Sequence, residues 1–96
     1  MNGIRGEVRV QLAGAPRRLC LTLGALAEIE TALSLSGPDG LVERVRHLSA
    51  RDLLLLLEAL LRGGGEISFA EGLSHADVST GEAVEAVASA FRAAAG

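Results

Sequence analysis

The chain has 96 residues, enough for one compact domain, and we expect a single domain over residues 1–96. Hydrophobic residues make up 49% of it and aromatic residues only 2%, so the core must be aliphatic, and the Trp and Tyr side chains that stack on bases are absent. The net charge of −3 argues against nucleic-acid binding, which needs a basic surface.

Two runs of alternating residues predict an N-terminal antiparallel β-hairpin over residues 7–23. Apolar residues take every second position of both runs: Val8, Val10, Leu12, Leu19, Leu21 and Leu23. Ala13–Pro16 between the runs is typical of a turn. An isolated hairpin is marginal in water, so we expect its apolar face to pack on helices.

Residues 24–95 are expected to form four or five helices, which together with the hairpin give an α+β fold around an aliphatic core. Thr22 is a candidate N-cap for the first helix, which ends near Leu35. Further helices are predicted over residues 41–48, residues 49–62 and from residue 79 onward. Residues 68–77 are either a short helix or irregular, since Gly72 weakens their capping-box pattern.

The central helix has both ends marked. Ser49 is a good N-cap with Asp52 three residues later, and Gly63–Gly65 supply a left-handed stop. Its leucines form one broad arc that should lie at the centre of the core. Leu55 points to the opposite, charged side, so either residues 68–77 or a partner protein must cover it.

The spacing of residues in the first and last helices predicts which side chains face the core and which lie on the outer face. In the first helix Glu28 points away from the apolar stripe, whereas Glu30 lies on the core side and is predicted to pair with Arg62 or Arg18. In the last helix the repeat of Val84, Val87, Ala88 and Phe91 predicts the core face. That assignment places Ala86 and Ala93 on the outer face.

The sequence offers little for catalysis, cofactor binding or metal binding. Cys20 with His47 or His75 would be a thiol and a base, but no local signature supports the pairing, and an inert thiol is the favoured reading. The two histidines have no cysteine at metal-ligand spacing. Residues 62–65 follow a helix, whereas a phosphate-binding loop follows a strand. We therefore expect no catalytic residue, no cofactor and no metal.

The cellular location also follows from simple patterns. A single cysteine fits a reducing compartment, no apolar run is long enough to cross a membrane, and residues 1–10 lack the apolar region of a signal peptide. We expect a cytoplasmic protein without a membrane partner.

Several short segments resemble a family of small proteins encoded in the tail-gene cluster of gene transfer agents and related tailed phages, next to the major tail protein. The resemblance covers roughly residues 6–68 and is carried by these segments: Gly6–Val8, Leu21–Leu23, Ala25–Glu30, Asp52–Leu53 and Leu60–Gly65. The most specific parts are the ALAEIE helix and the LLRGGG helix end.

The resemblance implies a non-enzymatic role in building a tail, with the tape-measure protein or the major tail protein as partner and self-association as a further expectation. It also implies incorporation into a phage-like particle as the alternative to a cytoplasmic location. Family members have been described both as tail-tube-related proteins and as tail assembly chaperones. A chaperone for an apolar helical client needs an exposed aliphatic groove, for which Leu55 and Ala86 are the candidate contact residues. Glu28 is a further candidate for a partner-facing surface. A tube subunit needs a strand-rich body, which one hairpin does not supply, so the assembly role is favoured over the structural one.

Overall fold

The computed structural model of the chain describes residues 6–35, 38–45 and 47–95, except for the side chains of residues 38, 39 and 42. The elements are β1 (Glu7–Leu12), β2 (Ala15–Cys20), α1 (Leu23–Ala32), α2 (Pro38–Val45), α3 (Ala50–Gly63), α4 (Ile67–Glu71), a 3₁₀ turn (Leu73–His75) and α5 (Thr80–Ala95). A two-stranded antiparallel hairpin followed by five helices confirms the predicted α+β fold.

The hairpin has a tighter turn than its sequence predicted. Leu12 pairs with Ala15, so the turn contains only Ala13 and Gly14, which both have positive φ (54° and 81°) as a two-residue hairpin turn requires. Pro16 is therefore part of β2. It pairs with Gln11 in a non-hydrogen-bonded position, where the missing N–H costs the ladder nothing.

The end of the hairpin corrects the prediction of a strand up to residue 23. β2 ends at Cys20, and the hydroxyl of Thr22 accepts a hydrogen bond from the Ala25 N–H at 3.0 Å. Thr22 thus caps α1, as predicted, and Leu23 becomes its first residue. Leu23 is 84% exposed, so it belongs to neither the apolar face of the hairpin nor the core.

Helix α3 lies at the centre of the molecule and packs against β2, α1, α4 and α5. Five of its leucines are buried: Leu53, Leu56, Leu57, Leu60 and Leu61. The predicted position of the leucine arc is therefore confirmed. Burying each such side chain is worth on the order of 1.5–3 kcal/mol, so α3 is the main source of hydrophobic stabilisation.

Both predicted ends of α3 are also confirmed. The Ser49 hydroxyl accepts from the Asp52 N–H at 3.1 Å, and the Asp52 carboxylate accepts from the Ser49 N–H at 3.4 Å. At the other end Gly65 has a φ of 88° and the Glu66 N–H donates to the carbonyl of Leu61 at 2.8 Å, which is a Schellman stop. Only one of the three glycines is needed for that stop.

Helix α5 is rotated by about 100° from its predicted orientation, which is the angle between neighbouring helical residues. Its N-terminal capping box of Ser79 and Glu82 forms as expected, with both hydrogen bonds near 3 Å. The side chains that face the core are, however, mostly alanines: Ala83, Ala86, Val87 and Ala90. Small side chains let α5 approach α3 and β1 closely, whereas Val84 is 50% exposed.

This rotation overturns one candidate contact residue. Ala86 is only 2% exposed and lies in the core, so the expectation that it belongs to an outer face of the last helix is wrong. The prediction used the spacing of the larger apolar side chains, which here lie to one side of the buried alanines.

Candidate functional site

A groove opens between the first half of α3, the 3₁₀ turn and the beginning of α5. We call it the leucine groove; its volume is about 220 Å³. It is lined by Ala50, Leu53, Leu54, Leu57, Leu73, Ser74, Ala76, Val78, Ser79, Thr80 and Ala83. The leucines and Val78 provide apolar surface, and three hydroxyl-bearing residues provide the polar part.

The local sequence explains why space remains there. Gly72 ends α4, and the 3₁₀ turn then places Leu73 in the core while the chain runs on to the cap of α5. Three positions of the lining are alanines, Ala50, Ala76 and Ala83, whose side chains do not fill the gap between the helices. The groove therefore results from small side chains at a junction of three elements.

The chemistry of the groove is that of an apolar contact surface. None of its lining residues carries an ionisable side chain, and the Ser79 hydroxyl is engaged in capping α5. Catalytic sites need convergent polar or titratable groups. The groove instead offers aliphatic surface to the aliphatic side chains of a bound partner, and its hydroxyl groups can form hydrogen bonds.

Leu55, the residue singled out in the sequence, is not part of this groove. It is half-buried and packs against the edge of the core. Its neighbour Leu54 lines the groove instead. The run of five leucines at residues 53–57 hides this distinction, because every side of α3 carries a leucine there.

Glu28 is engaged within the chain. Its carboxylate forms an ion pair with the guanidinium of Arg62, and both side chains are about one-third exposed. The carboxylate raises the pKa of Arg62. The prediction that Arg62 pairs with Glu30 is wrong, because Arg62 and Glu28 lie on facing outer sides of α3 and α1. Glu30 forms no ion pair with any residue that the structure describes.

Asp52 has a second role that the sequence analysis missed. Its side chain is buried, and it accepts hydrogen bonds from Arg44 Nε at 2.8 Å and Arg44 Nη2 at 3.1 Å. Arg44 Nη1 also donates to the Leu33 carbonyl at 3.0 Å. The Arg44 guanidinium and the Ser49 hydrogen bonds lower the pKa of Asp52. This pair joins α2 to α3 and to the end of α1, so its role is structural.

Glu66 connects the hairpin to the region after α3. It accepts from the backbone N–H of Arg18 at 3.1 Å and lies 3.5 Å from Arg18 Nε. Arg17 Nη1 is 3.9 Å from the same carboxylate, and the Arg17 guanidinium lies 3.9 Å from the centre of the Phe69 ring. The other proposed partner of Glu30, Arg18, is thus paired with Glu66.

Cys20 lies in the interior, although its place in the alternating pattern put it on the polar face of β2. It is buried close to the end of α3, and burial raises the pKa of its thiol. A raised pKa keeps the thiol protonated, which is the opposite of what a nucleophile needs. His47 and His75 are both exposed.

Over residues 6–35, 38–45 and 47–95, no group of three or more His, Cys, Asp or Glu side chains is arranged to hold a metal ion. Within the same residues, no helix combines the length and the apolar character needed to cross a membrane.

Comparison with known proteins identifies the family. A family model described as "Phage tail tube protein, GTA-gp10" matches residues 5–96, which is nearly the whole chain. Neither the curated proteins nor the solved structures gave a match. The match agrees with the resemblance seen in the hairpin, in α1 and at the end of α3. The chain therefore belongs to the GTA-gp10 family of phage tail proteins.

Proposed function

We propose that this tail protein acts in tail assembly, without catalysis, by holding an apolar segment of another tail protein in the leucine groove. The observation that supports the proposal most directly is the groove itself, an open and mainly apolar depression of about 220 Å³ beside the core. Apolar grooves between helices are common binding sites for amphipathic helices.

The expected client is a helical segment with aliphatic anchors, as in the tape-measure class of tail protein. Leu54 and Val78, both half-buried, supply apolar contacts to such anchors, while Ser74 and Thr80 offer hydroxyl groups to the polar side of a bound helix. A segment of this kind exposes an apolar stripe before the tail forms. Covering that stripe is what an assembly chaperone does.

Leu55 and Glu28 remain proposed as a second, smaller contact surface. Leu55 and Arg62 are seven residues apart and share one side of α3, so Leu55 lies on the same side as the Glu28–Arg62 pair. Both side chains of that pair are partly exposed, as is Leu55. A client longer than the groove would reach this side after wrapping around α3.

The alternative is a structural component of the tail tube, which the description of the family favours. A tube built from rings of subunits needs extended sheet contacts, whereas the described residues contain one two-stranded sheet. Electron microscopy of the purified protein separates the two functions. Rings or tubes formed by this protein alone would support the structural function and contradict the assembly function.

A binding experiment tests the groove. The probe is a set of synthetic peptides that tile the tape-measure protein encoded in the same tail-gene cluster, and binding is measured by fluorescence anisotropy. We expect at least one peptide to bind and Leu54→Asp to weaken that binding by about tenfold or more, because a carboxylate in an apolar groove loses water without gaining a partner.

Leu23→Asp is the matched control. It makes the same change at a leucine that is 84% exposed on α1, away from the groove, and should leave peptide binding unchanged. Leu55→Asp measures the second surface and should have a smaller effect than Leu54→Asp. Equal binding by the wild type, the Leu54 variant and the Leu23 variant would refute the groove as the client site.

A further inference from the structure

Helix α5 carries a second apolar stripe, of which only Phe91 packs in part against the core. The stripe consists of Val84, Ala88, Phe91 and Ala95: Val84 is 50% exposed, Ala88 and Phe91 are half-buried, and Ala95 is exposed. At 100° per residue, the centre of the stripe lies about 120° around the helix from the centre of the buried side, which is formed by Ala83, Ala86, Val87 and Ala90. It is therefore a second apolar side of α5, partly exposed and centred away from the buried residues.

The spacing of the stripe is that of a coiled-coil seam. Its members are separated by four, three and four residues, the alternation by which one helix packs along another. Large and small side chains also alternate along it. In an antiparallel pair of such helices, Val84 lies opposite Ala95 of the partner subunit and Ala88 lies opposite Phe91 of the partner subunit, so each large side chain meets a small one.

The charged residues beside the stripe indicate that its partner is a second copy of this chain and that the two helices run antiparallel. Glu85 and Arg92 flank the seam on one side, are both exposed, and lie 3.3 Å apart within the chain. In an antiparallel pair these flanks adjoin, so Glu85 faces Arg92 of the partner subunit and Arg92 faces Glu85 of the partner subunit. In a parallel pair Glu85 and Arg92 would instead lie beside Thr80 and Val87 of the partner subunit, which carry no charge.

We propose that α5 is a self-association surface at which two copies of this chain pack antiparallel through the Val84–Ala95 stripe. The contact is isologous, since each copy contributes the same residues, and it therefore closes at a dimer. One pair of short helices buries less than about 1,200 Å², the lower end of standard interfaces, so the dimer is weak and concentration-dependent. This inference goes beyond the client-binding function, because the stripe shares no residue with the leucine groove.

Sedimentation equilibrium over a range of protein concentrations tests the stripe. We expect the wild type to form a reversible dimer and Val84→Glu to raise its dissociation constant by about tenfold or more, because the seam then buries two carboxylates. Ile67→Glu is the matched control: Ile67 is β-branched and 55% exposed but lies on α4, so this variant should dimerise like the wild type. Circular dichroism checks that both variants remain folded.

A charge-reversal experiment tests the direction. Glu85→Arg and Arg92→Glu, each alone, place like charges across the two-fold axis and should weaken the dimer. Mixed in equal amounts, the two variants should form a heterodimer with wild-type affinity, because each Arg then faces a Glu of the other chain. Ion pairing within one chain cannot give that recovery, because each variant carries two like charges at positions 85 and 92.

Three results would overturn the proposal: a wild type that stays monomeric at every concentration, a Val84→Glu variant that dimerises like the wild type, or a mixture of the two charge variants that shows no recovery. Loss of peptide binding in Leu54→Asp with the dimer retained would show that client binding and self-association are separate properties.

Discussion

On the hairpin side, the backbone at the end of α3 lies in close contact with the backbone of β2. A Cβ atom added to Gly63 would lie 2.1 Å from the Cys20 carbonyl oxygen, and one added to Gly64 would lie 2.2 Å from the Arg18 carbonyl oxygen. On the other side, α3 and its neighbours leave the leucine groove open. The molecule thus combines a tightly packed side that holds the fold with a loosely packed side that is available for contact.

The tight side has a specific geometric cause. Arg18 and Cys20 occupy non-hydrogen-bonded positions of the hairpin, so their carbonyls point away from β1 and toward the end of α3. The Arg18 N–H points the same way and donates to Glu66. The end of α3 and Glu66 therefore cover the outer edge of β2, an edge that would otherwise be open to pairing with another chain.

The largest predicted effect is that of Gly64→Ala. Gly64 has a φ of −85°, which alanine adopts without strain, so the cost arises from contact with the backbone of Arg18. We expect the free energy of unfolding to fall by about 3 kcal/mol or more, since the hairpin must move away from α3. Urea denaturation measures the change.

Gly81→Ala is the matched control. It makes the same substitution in α5, where the nearest atom lies 4.0 Å from the added Cβ, and alanine favours the helix by up to about 1 kcal/mol. Similar stabilities for the two variants would mean that the hairpin side is not the tightly packed one.

A second pair of variants compares the two sides within one helix. Ala90 is fully buried, whereas Ala83 lines the leucine groove. Ala90→Leu should destabilise the protein by about 1–3 kcal/mol through overpacking, and Ala83→Leu should change its stability by less than about 1 kcal/mol, because the groove accommodates the longer side chain. Thermal unfolding measures both. An equally destabilised Ala83 variant would show that the groove is closed in solution.

The starts of three helices were predictable because the sequence marks them with capping residues. Thr22, Ser49 and Ser79 each cap the helix that follows, and each capping hydrogen bond forms in the structure. The leucine arc of α3 was equally predictable, because five buried leucines define one side of a helix. Both signals are contained within a few residues of sequence.

The features that the sequence did not predict depend on how closely separate helices and strands approach one another. Ala86 is buried because α5 approaches α3 closely, and no pattern within α5 distinguishes that approach from a wider one. The leucine groove needs three elements to meet at small side chains. The partners of Asp52 and Glu28 likewise lie on other helices, so only the assembled structure shows that Arg44 and Arg62 are the residues they contact.

The pH dependence of stability should report the Arg44–Asp52 pair. Because the pKa of Asp52 is lowered in the folded protein, its contribution is fully present above the ordinary aspartate pKa of about 3.9 and is lost as the pH falls through the lowered value. Asp52→Asn should therefore be less stable than the wild type at pH 7, and the gap should narrow toward pH 2. Urea titrations at several pH values measure it, and a constant gap would contradict the assignment.

The smallest predicted effect is that of Glu28→Gln, at the junction of α1 and α3. The Glu28–Arg62 pair is partly exposed, so solvent screens it, and we expect a loss of no more than about 1 kcal/mol that shrinks further at high salt. Glu30→Gln, at a position with no ion pair to a described residue, should change stability less. Urea denaturation at low and high salt measures both variants. A loss well above 1 kcal/mol that persisted at high salt would show that the contact between α1 and α3 is as tightly packed as the contact between β2 and α3. The contrast would then be between the leucine groove and both of these contacts.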